Sequence, residues 1–187
     1  MRNLVVLLGV HGAGKTTFGL SLPADRYAFY GEIGTQLRAA VDFGVTSPQE
    51  DFDREVMLRE VQRDDELLTE SRIPVVETWH IGNLAFALAR GSNVIAMQYR
   101  QVMTRQLAHF DVAAIVLTLP DEEFLSRATE KKTSPSDALR FYREVEQYQH
   151  SLLKEYLPRR SSMVPWPWSP ECAPELLANA IRDRWSL

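Results

Sequence analysis

The sequence predicts an α/β fold with three layers, in which a parallel sheet carries helices on both faces. Short apolar runs of strand length alternate along the chain with longer segments of helical periodicity, and this alternation is typical of parallel sheets. The two longest apolar runs have no polar residue at alternate positions, as expected for strands buried on both faces. The 187 residues include no repeat, low-complexity tract or Gly/Ser linker. We therefore expect a single domain over residues 1–187.

The apolar runs are the predicted strands. Residues 4–8 and 112–117 have the composition of buried central strands, and residues 73–76 form a third candidate between them. The run at residues 26–30 is weaker because it begins with arginine and contains two tyrosines. Residues 163–168 include two prolines, which cannot donate to a central ladder, so we expect an irregular edge strand or a loop there.

Three segments have the spacing of helices. Residues 52–71 combine charged residues of both signs with apolar residues at helical intervals. Residues 134–157 begin with Ser134-Pro135, a helix-start signal, and end before Pro158. Residues 174–185 predict a final helix.

The composition is that of an ordinary globular protein, with 45% apolar and 25% charged residues. A net charge of −4 argues against a non-specific nucleic-acid binder. The single cysteine, Cys172, cannot form an intrachain disulfide, which favours a reducing compartment. No segment contains the roughly 18 uninterrupted apolar residues that a membrane helix needs. We therefore expect a cytoplasmic protein without a membrane span.

Residues 9–16, GVHGAGKT, fit the phosphate-binding pattern G-x-x-x-x-G-K-[ST] at every position, between a predicted strand and a predicted helix. Glycines at 12 and 14 leave space for backbone N–H groups to converge on phosphates. Lys15 can reach the β- and γ-phosphates, and Thr16 offers a hydroxyl to Mg²⁺. The motif predicts a P-loop NTPase fold with ATP and Mg²⁺ as cofactors. The predicted ATP contacts are Gly9, His11, Gly12, Ala13, Gly14, Lys15, Thr16 and Thr17.

The P-loop alone does not separate a kinase from a GTPase or a motor, because all three classes use it. Guanine specificity in GTPases needs an N-K-x-D segment. None of the four asparagines in this chain is followed by lysine. The sequence therefore disfavours a GTP switch.

The order of segments resembles the thymidylate kinases of the P-loop nucleoside and nucleotide kinase superfamily. Residues 9–17, GVHGAGKTT, are similar to the family's first loop, which usually carries an aspartate where His11 stands. Residues 31–38 resemble the segment after its second strand. Residues 58–63 resemble a helix bearing a phosphate-binding arginine, here Arg63. Two later segments, 83–87 and 141–156, also resemble family helices.

The resemblance implies a kinase that transfers the γ-phosphoryl group of ATP to a pyrimidine nucleotide-like acceptor. It also implies a nucleotide kinase-like fold, a lid near residues 127–137 and a homodimer. Within that lid Arg127, with Lys131 and Lys132, could neutralise the transferring phosphoryl group, or could form a solvated basic helix end.

Two departures from the family pattern bear on the acceptor. The Asp-Arg pair after the third strand is replaced by Glu77-Thr78, and the arginine-bearing loop before Glu32 reads Tyr27-Ala28-Phe29-Tyr30. Because bidentate guanidinium contacts hold a monophosphate, the loss of two arginines predicts weaker recognition of plain dTMP. The aromatic that stacks on the acceptor base in the 58–63 helix is replaced by Arg59.

Two carboxylates are candidates for the chemistry. Glu77 directly follows a predicted strand, and the carboxyl ends of parallel strands are where α/β sheets bind ligands. It could hold Mg²⁺ or accept the proton of an acceptor hydroxyl, or it could simply face solvent. Glu32 is the second candidate base, although the glycines around it also suit a turn.

Several further residues are candidates for the acceptor site. Trp79 and His80 could form an aromatic pair at its rim that clamps a base, or could cap the sheet. The histidine inside the P-loop could contact substrate or only pack. The predicted substrate contacts are His11, Arg59, Arg63, Trp79 and His80.

Two rivals to this function stay open. The first is a kinase of hydroxymethylated pyrimidine bases in DNA, of the 5-hydroxymethyluracil type found in phage base-hypermodification pathways. It is motivated by the missing monophosphate arginines. The second is a non-catalytic module in which ATP binding regulates a partner.

Overall fold

A computed structural model describes residues 1–38, 49–127, 134–182 and 185 of the chain. Within these residues, five strands form one sheet, and each neighbouring pair is parallel. The strands are β1 (Arg2–Leu8), β2 (Tyr27–Tyr30), β3 (Ile73–Glu77), β4 (Phe110–Leu117) and β5 (Ser161–Val164). Their order across the sheet is β2-β3-β1-β4-β5. The predicted parallel sheet is confirmed.

Helices occupy the segments between the strands and the segment after the last strand. They are α1 (Lys15–Leu20), α2 (Ile33–Arg38), α3 (Glu50–Thr69), α4 (Trp79–Ala89), α5 (Asn93–Gln106), α6 (Asp121–Arg127), α7 (Pro135–Tyr156) and α8 (Ala173–Ile181). Every residue of the run 4–8 in β1 is fully buried, so both faces of the central strand are covered. This burial confirms the three-layer arrangement that the unbroken apolar run predicts.

The longest helix, α7, follows its sequence signals closely. The Ser134 hydroxyl accepts a hydrogen bond from the backbone N–H of Asp137, 3.2 Å away, and proline occupies the first turn. The buried side of the helix includes Phe141 and Tyr142, which meet Phe86 of α4 at ring-centroid distances of 6.2 and 6.1 Å. The helix α7 thus packs against α4.

The edge strand β5 ends where the prolines at positions 165 and 167 predict that regular pairing should stop. Within the described part of the chain β5 pairs with β4 alone, and regular pairing ends at Val164, before the first of the two prolines. The residues that follow, 165–168, have irregular structure.

The strand order determines where a site can form. β1 lies between β3 and β4, with Leu7 opposite Glu77 and Leu8 opposite Val116. The carboxyl ends of these strands therefore meet at one edge, where the loop after β1 begins. Among the described residues, no helix is both long and apolar enough to span a membrane. Lys131 and Lys132 of the predicted lid lie outside the described residues.

Candidate functional site

The P-loop at residues 9–16 is a tight turn between β1 and α1. Gly9 has φ +132° and Gly14 has φ +90°, values that other residues rarely adopt. A Cβ atom on Gly9 would lie 2.3 Å from the carbonyl oxygen of Leu117, and one on Gly14 would lie 2.7 Å from the ring of Trp168. At these two positions only glycine permits the close approach that shapes the loop.

The lysine of the motif lies inside this loop. Lys15 Nζ donates to the carbonyl oxygens of Gly9, at 3.1 Å, and Val10, at 3.2 Å. Thr16 follows it in the first turn of α1 with its side chain exposed, while Ala13 is fully buried and packs the loop onto the core. These two carbonyl oxygens hold the ammonium group beside the loop.

A pocket of about 400 Å³ opens beside the loop. It brings the P-loop together with residues from the ends of β2, β3 and α6. Its lining residues are His11, Gly12, Gly14, Lys15, Thr16, Thr17, Glu32, Thr35, Glu77 and Arg127. All but Thr35 were sequence candidates, whereas the predicted contacts Gly9 and Ala13 lie behind the surface of this pocket.

Glu77 is the buried acid of the pocket, with only 4% of its surface exposed. Burial raises its pKa, and the nearby charge of Glu32 raises it further, while Thr16 and Lys15 act in the opposite direction. Among the described residues, Glu77 Oε1 has no hydrogen-bond partner. A buried acceptor without a partner suits a cation or a donor from a ligand. Carboxylate and hydroxyl oxygens are ligands that Mg²⁺ accepts, so Glu77 and Thr16 fit a magnesium site.

Glu32 is half-buried and reaches the same pocket from the segment after β2. The hydroxyl of Thr35 donates to Glu32 Oε2 at 3.2 Å. A Cβ atom on Gly34 would lie 3.2 Å from Glu32 Oε1. The carboxylate is therefore packed against the first turn of α2, facing the pocket.

Arg127 lies against the P-loop at the end of α6. Its guanidinium donates to the carbonyl oxygen of Gly12 at 2.9 Å and pairs with Glu123 at 2.6 Å. It also lies over the ring of Trp166, 4.2 Å from the ring centroid. This arginine thus joins the P-loop to the segment after β5.

The sequence prediction missed the two tryptophans of that segment. Trp166 stacks on Arg127, and Trp168 packs against Gly14 and meets Phe18 at a centroid distance of 5.3 Å. The sequence Pro165-Trp166-Pro167-Trp168 could have indicated this role. Prolines end the regular strand there, so the two large aromatic side chains must pack against another part of the chain.

His11 lies at the edge of the pocket and packs against α7. Its side chain is exposed at the edge of the pocket, and its ring lies 6.0 Å from that of Tyr142 with an angle of 29° between the planes. The histidine therefore packs on α7 while it faces the space beside the P-loop.

The prediction that Trp79 and His80 form a clamp at the rim is wrong. Both side chains are fully buried. Trp79 Nε1 donates to Asp64 Oδ1 at 2.9 Å, and His80 Nε2 lies 2.6 Å from Asp64 Oδ2. Because the first turn of α4 points into the core, these rings face α3 and not the pocket.

The predicted phosphate contact of Arg63 also needs correction. Its side chain is almost entirely buried, pairs with Glu60 at 2.5 Å and donates to the carbonyl oxygen of Gly31 at 2.7 Å. Arg59 is exposed and pairs with Glu55 at 2.7 Å. Both arginines line a separate groove between α2 and α3 and are absent from the lining of the P-loop pocket. The ion pair with Glu60 and the hydrogen bond to Gly31 hold the Arg63 guanidinium in the wall of that groove, away from the P-loop.

Comparison with known proteins gives relatives by structure alone. No family model and no curated protein matches the chain. A deoxyadenosine kinase from M. mycoides, solved with bound dATP, is similar with a TM-score of 0.66 and 11% identity, over 96% of this chain and 99% of that chain. A thymidylate kinase from Candida albicans is similar with a TM-score of 0.66 and 14% identity, over 97% of this chain and 92% of that chain. The chain therefore has the fold of the P-loop nucleotide kinases.

Proposed function

We propose that the chain is an ATP-dependent kinase that transfers the γ-phosphoryl group of ATP to a pyrimidine nucleotide-like acceptor. The observation that carries this proposal is the position of Glu77. Its buried oxygen without a partner lies in the same pocket as the P-loop lysine. A P-loop supplies phosphate binding, and a carboxylate at the adjacent strand end supplies what phosphoryl transfer also needs, a site for a metal or a proton.

The donor half of the site follows from the P-loop. Its backbone N–H groups would bind the phosphates of ATP, and Lys15 would exchange its carbonyl partners on Gly9 and Val10 for phosphate oxygens. Thr16 and Glu77 would hold Mg²⁺, which when bound neutralises charge on the phosphates. Arg127 lies against the same loop and would add positive charge on the side of α6.

Phosphoryl transfer requires the protein to position ATP and the acceptor, and it requires little covalent chemistry from protein side chains. An acceptor oxygen would form a bond to the γ-phosphorus while the bond from that phosphorus to the bridging oxygen breaks, and ADP would leave. Where the acceptor is a hydroxyl, Glu77 or Glu32 would take its proton. Burial raises the pKa of Glu77 in the chain without metal, which suits a general base where this carboxylate does not hold Mg²⁺.

The structural relatives fit an acceptor of this class. One is named a deoxyadenosine kinase and the other a thymidylate kinase. The name of the second fits a pyrimidine nucleotide as acceptor, and the name of the first indicates that the same fold also serves a purine nucleoside.

A second candidate is the phosphorylation of a hydroxymethyl group on a pyrimidine base in DNA. Two arginines of the chain already pair with buried carboxylates, Arg63 of α3 with Glu60 and Arg90, directly after α4, with Asp53. Breaking such a pair to bind a monophosphate would leave a buried charge uncompensated. This favours an acceptor that presents a hydroxyl, as a nucleoside or a hydroxymethylated base does.

The acceptor is identified by a panel assay. Transfer of ³²P from labelled ATP is measured with nucleosides, with nucleoside monophosphates and with duplex DNA that contains 5-hydroxymethyluracil. We expect acceptor-dependent label and ADP with at least one of these classes. Label in the DNA alone would support the second candidate, and label in a monophosphate alone would reject the argument from the paired arginines. ATP binding without turnover on the whole panel would contradict the proposed function.

Substitution of Glu77 separates a kinase from a module that only binds ATP. We expect Glu77→Ala to reduce turnover by about 100-fold or more, since one positioned acid or base contributes roughly 100- to 10,000-fold. Glu175→Ala, an exposed glutamate on α8, is the matched control. A pure binder would keep its nucleotide affinity and its partner response in Glu77→Ala.

A further inference from the structure

The turn that follows Glu77 is strained. Thr78 has φ +69° and Trp79 has φ +48°, two consecutive non-glycine residues in the left-handed region. A β-branched residue such as threonine is rarely found there. Strain of this kind persists only where the surrounding structure imposes it, and it is concentrated at functional sites.

A single carboxylate on α3 secures this turn from outside. Asp64 Oδ1 accepts a hydrogen bond from Trp79 Nε1 at 2.9 Å, and Asp64 Oδ2 lies 2.6 Å from His80 Nε2. Asp64 is 1% exposed, and both of its partners are fully buried. Since water cannot replace these contacts, their loss would leave buried polar groups unpaired.

The backbone of the turn is fixed on its other side by β1 and α4. Thr78 N donates to the carbonyl oxygen of Leu7, and Gly82 N donates to that of Thr78, each at 2.9 Å. A Cβ atom on Gly82 would lie 2.6 Å from Thr78 Cγ2 and 3.0 Å from Leu8 Cδ2. The turn thus lies between β1 and the first turns of α4, and Asp64 adds a contact to it from α3.

The residue before Asp64 makes the equivalent contact to the other strand end. Arg63 donates to the carbonyl oxygen of Gly31, directly before Glu32, and its ion pair with Glu60 holds it in place. Consecutive residues of α3 therefore reach the two segments that carry the pocket carboxylates.

From these contacts we propose that Asp64 is a positioning residue, which directs Glu77 into the P-loop pocket by holding the strained turn at residues 78–79. Arg63 holds the segment of Glu32 in the same way. The inference rests on the proposed function, because the direction of the Glu77 carboxylate affects turnover only if Glu77 takes part in phosphoryl transfer. Glu77 Oε1 has no partner among the described residues, so the direction of this oxygen depends on the backbone of the strand end together with the contact between the carboxylate and Thr16.

A double substitution tests this role. We expect Asp64→Asn to lower kcat by about 10- to 100-fold with little change in the KM for ATP, since outer-shell partners have effects of this size. Glycine adopts positive φ without steric cost. Thr78→Gly in the Asp64→Asn background should therefore restore kcat to within about threefold of wild type. Asp65→Asn, an adjacent exposed aspartate, is the matched control and should leave kcat unchanged.

A second measurement makes the test independent of the acceptor. The Mg²⁺ concentration at the midpoint of binding is measured with a non-hydrolysable ATP analogue, and we expect about a 10-fold rise in Asp64→Asn that Thr78→Gly reverses. Inactive wild type would count against the proposed function, and the Mg²⁺ midpoint would still decide the role of Asp64.

Two results would overturn the inference. One is a lower Tm for Asp64→Asn with unchanged kcat and Mg²⁺ midpoint, which is the signature of a purely structural residue. The other is a defect that Thr78→Gly leaves uncorrected. If Asp64→Asn fails to fold, Trp79→Phe replaces it, because it removes one of the two hydrogen bonds and keeps the ring. The same defect and the same rescue are then expected, on a smaller scale.

Discussion

At the scale of single residues, the proposed chemistry of this chain depends on one buried acid. Glu77 lies beside Lys15 and Thr16, and burial raises its pKa above the ordinary value of a glutamate. A group of this kind stabilises the fold while it is protonated. The stabilisation is complete below the pKa of the unfolded chain and is lost as the pH rises through the folded pKa.

This linkage predicts how Glu77→Gln changes stability with pH. In buffer without Mg²⁺ or nucleotide, we expect the Tm of Glu77→Gln to equal that of wild type near pH 4 and to exceed it increasingly up to about pH 8. Glutamine has no proton to lose, so its variant lacks the loss of stability that ionisation causes. Thermal melts across this range measure the difference.

The control for this experiment is Glu175→Gln, which removes one exposed carboxylate from α8. A Tm difference for Glu77→Gln that stays constant with pH, or one that reverses sign, would contradict the raised pKa of Glu77.

Single residues also explain where sequence reasoning failed. The P-loop, Glu32, Glu77 and Arg127 were found because each follows a pattern that is visible along the chain. Trp79 was wrongly predicted to lie at the rim of the site. The direction of its side chain depends on positive φ angles at residues 78 and 79, which the sequence Thr-Trp does not predict. Arg63 was misplaced because its partner Glu60 lies on the same buried face of α3, which the charge-rich sequence conceals.

At the scale of elements, strands and long helices were predictable and their contacts were not. The run of buried residues in β1 and the cap of α7 are local signals, and both were read correctly. The course of residues 165–168 across the P-loop depends on the position of β5 at the sheet edge. That position is a property of strand order and not of the local sequence.

The N-terminus of α7 provides a prediction at this scale. We expect Ser134→Ala to lower the free energy of unfolding by about 1 kcal/mol, because the hydroxyl that accepts from Asp137 N is lost. Denaturant unfolding gives the value. Ser151→Ala, at an exposed position of the same helix, should change it by less than about 0.5 kcal/mol. Equal effects of the two substitutions would show that Ser134 does not cap the helix.

At the scale of the whole molecule, the sheet order brings separate parts of the chain to one edge. β1 lies next to β3, so Lys15 and Thr16 of the P-loop share a pocket with Glu77 although more than sixty positions separate them in sequence. Behind the edge, buried carboxylates of α3 tie that helix to α4 and to the residue after it, through Asp53–Arg90, Glu60–Asn83 and Asp64–Trp79. This polar layer fixes the helices that support the pocket.

The most direct test of the central claim, that residues 9–16 bind the phosphates of ATP, is calorimetric titration of MgATP into wild type, Lys15→Ala and Lys154→Ala. Lys154 is exposed on α7, so its variant controls for the loss of one positive charge. A hydrogen bond to a charged group contributes about 1.5–3 kcal/mol. We therefore expect Lys15→Ala to weaken binding by about 10- to 100-fold while Lys154→Ala binds like wild type. Equal affinity of all three proteins for MgATP would contradict the account.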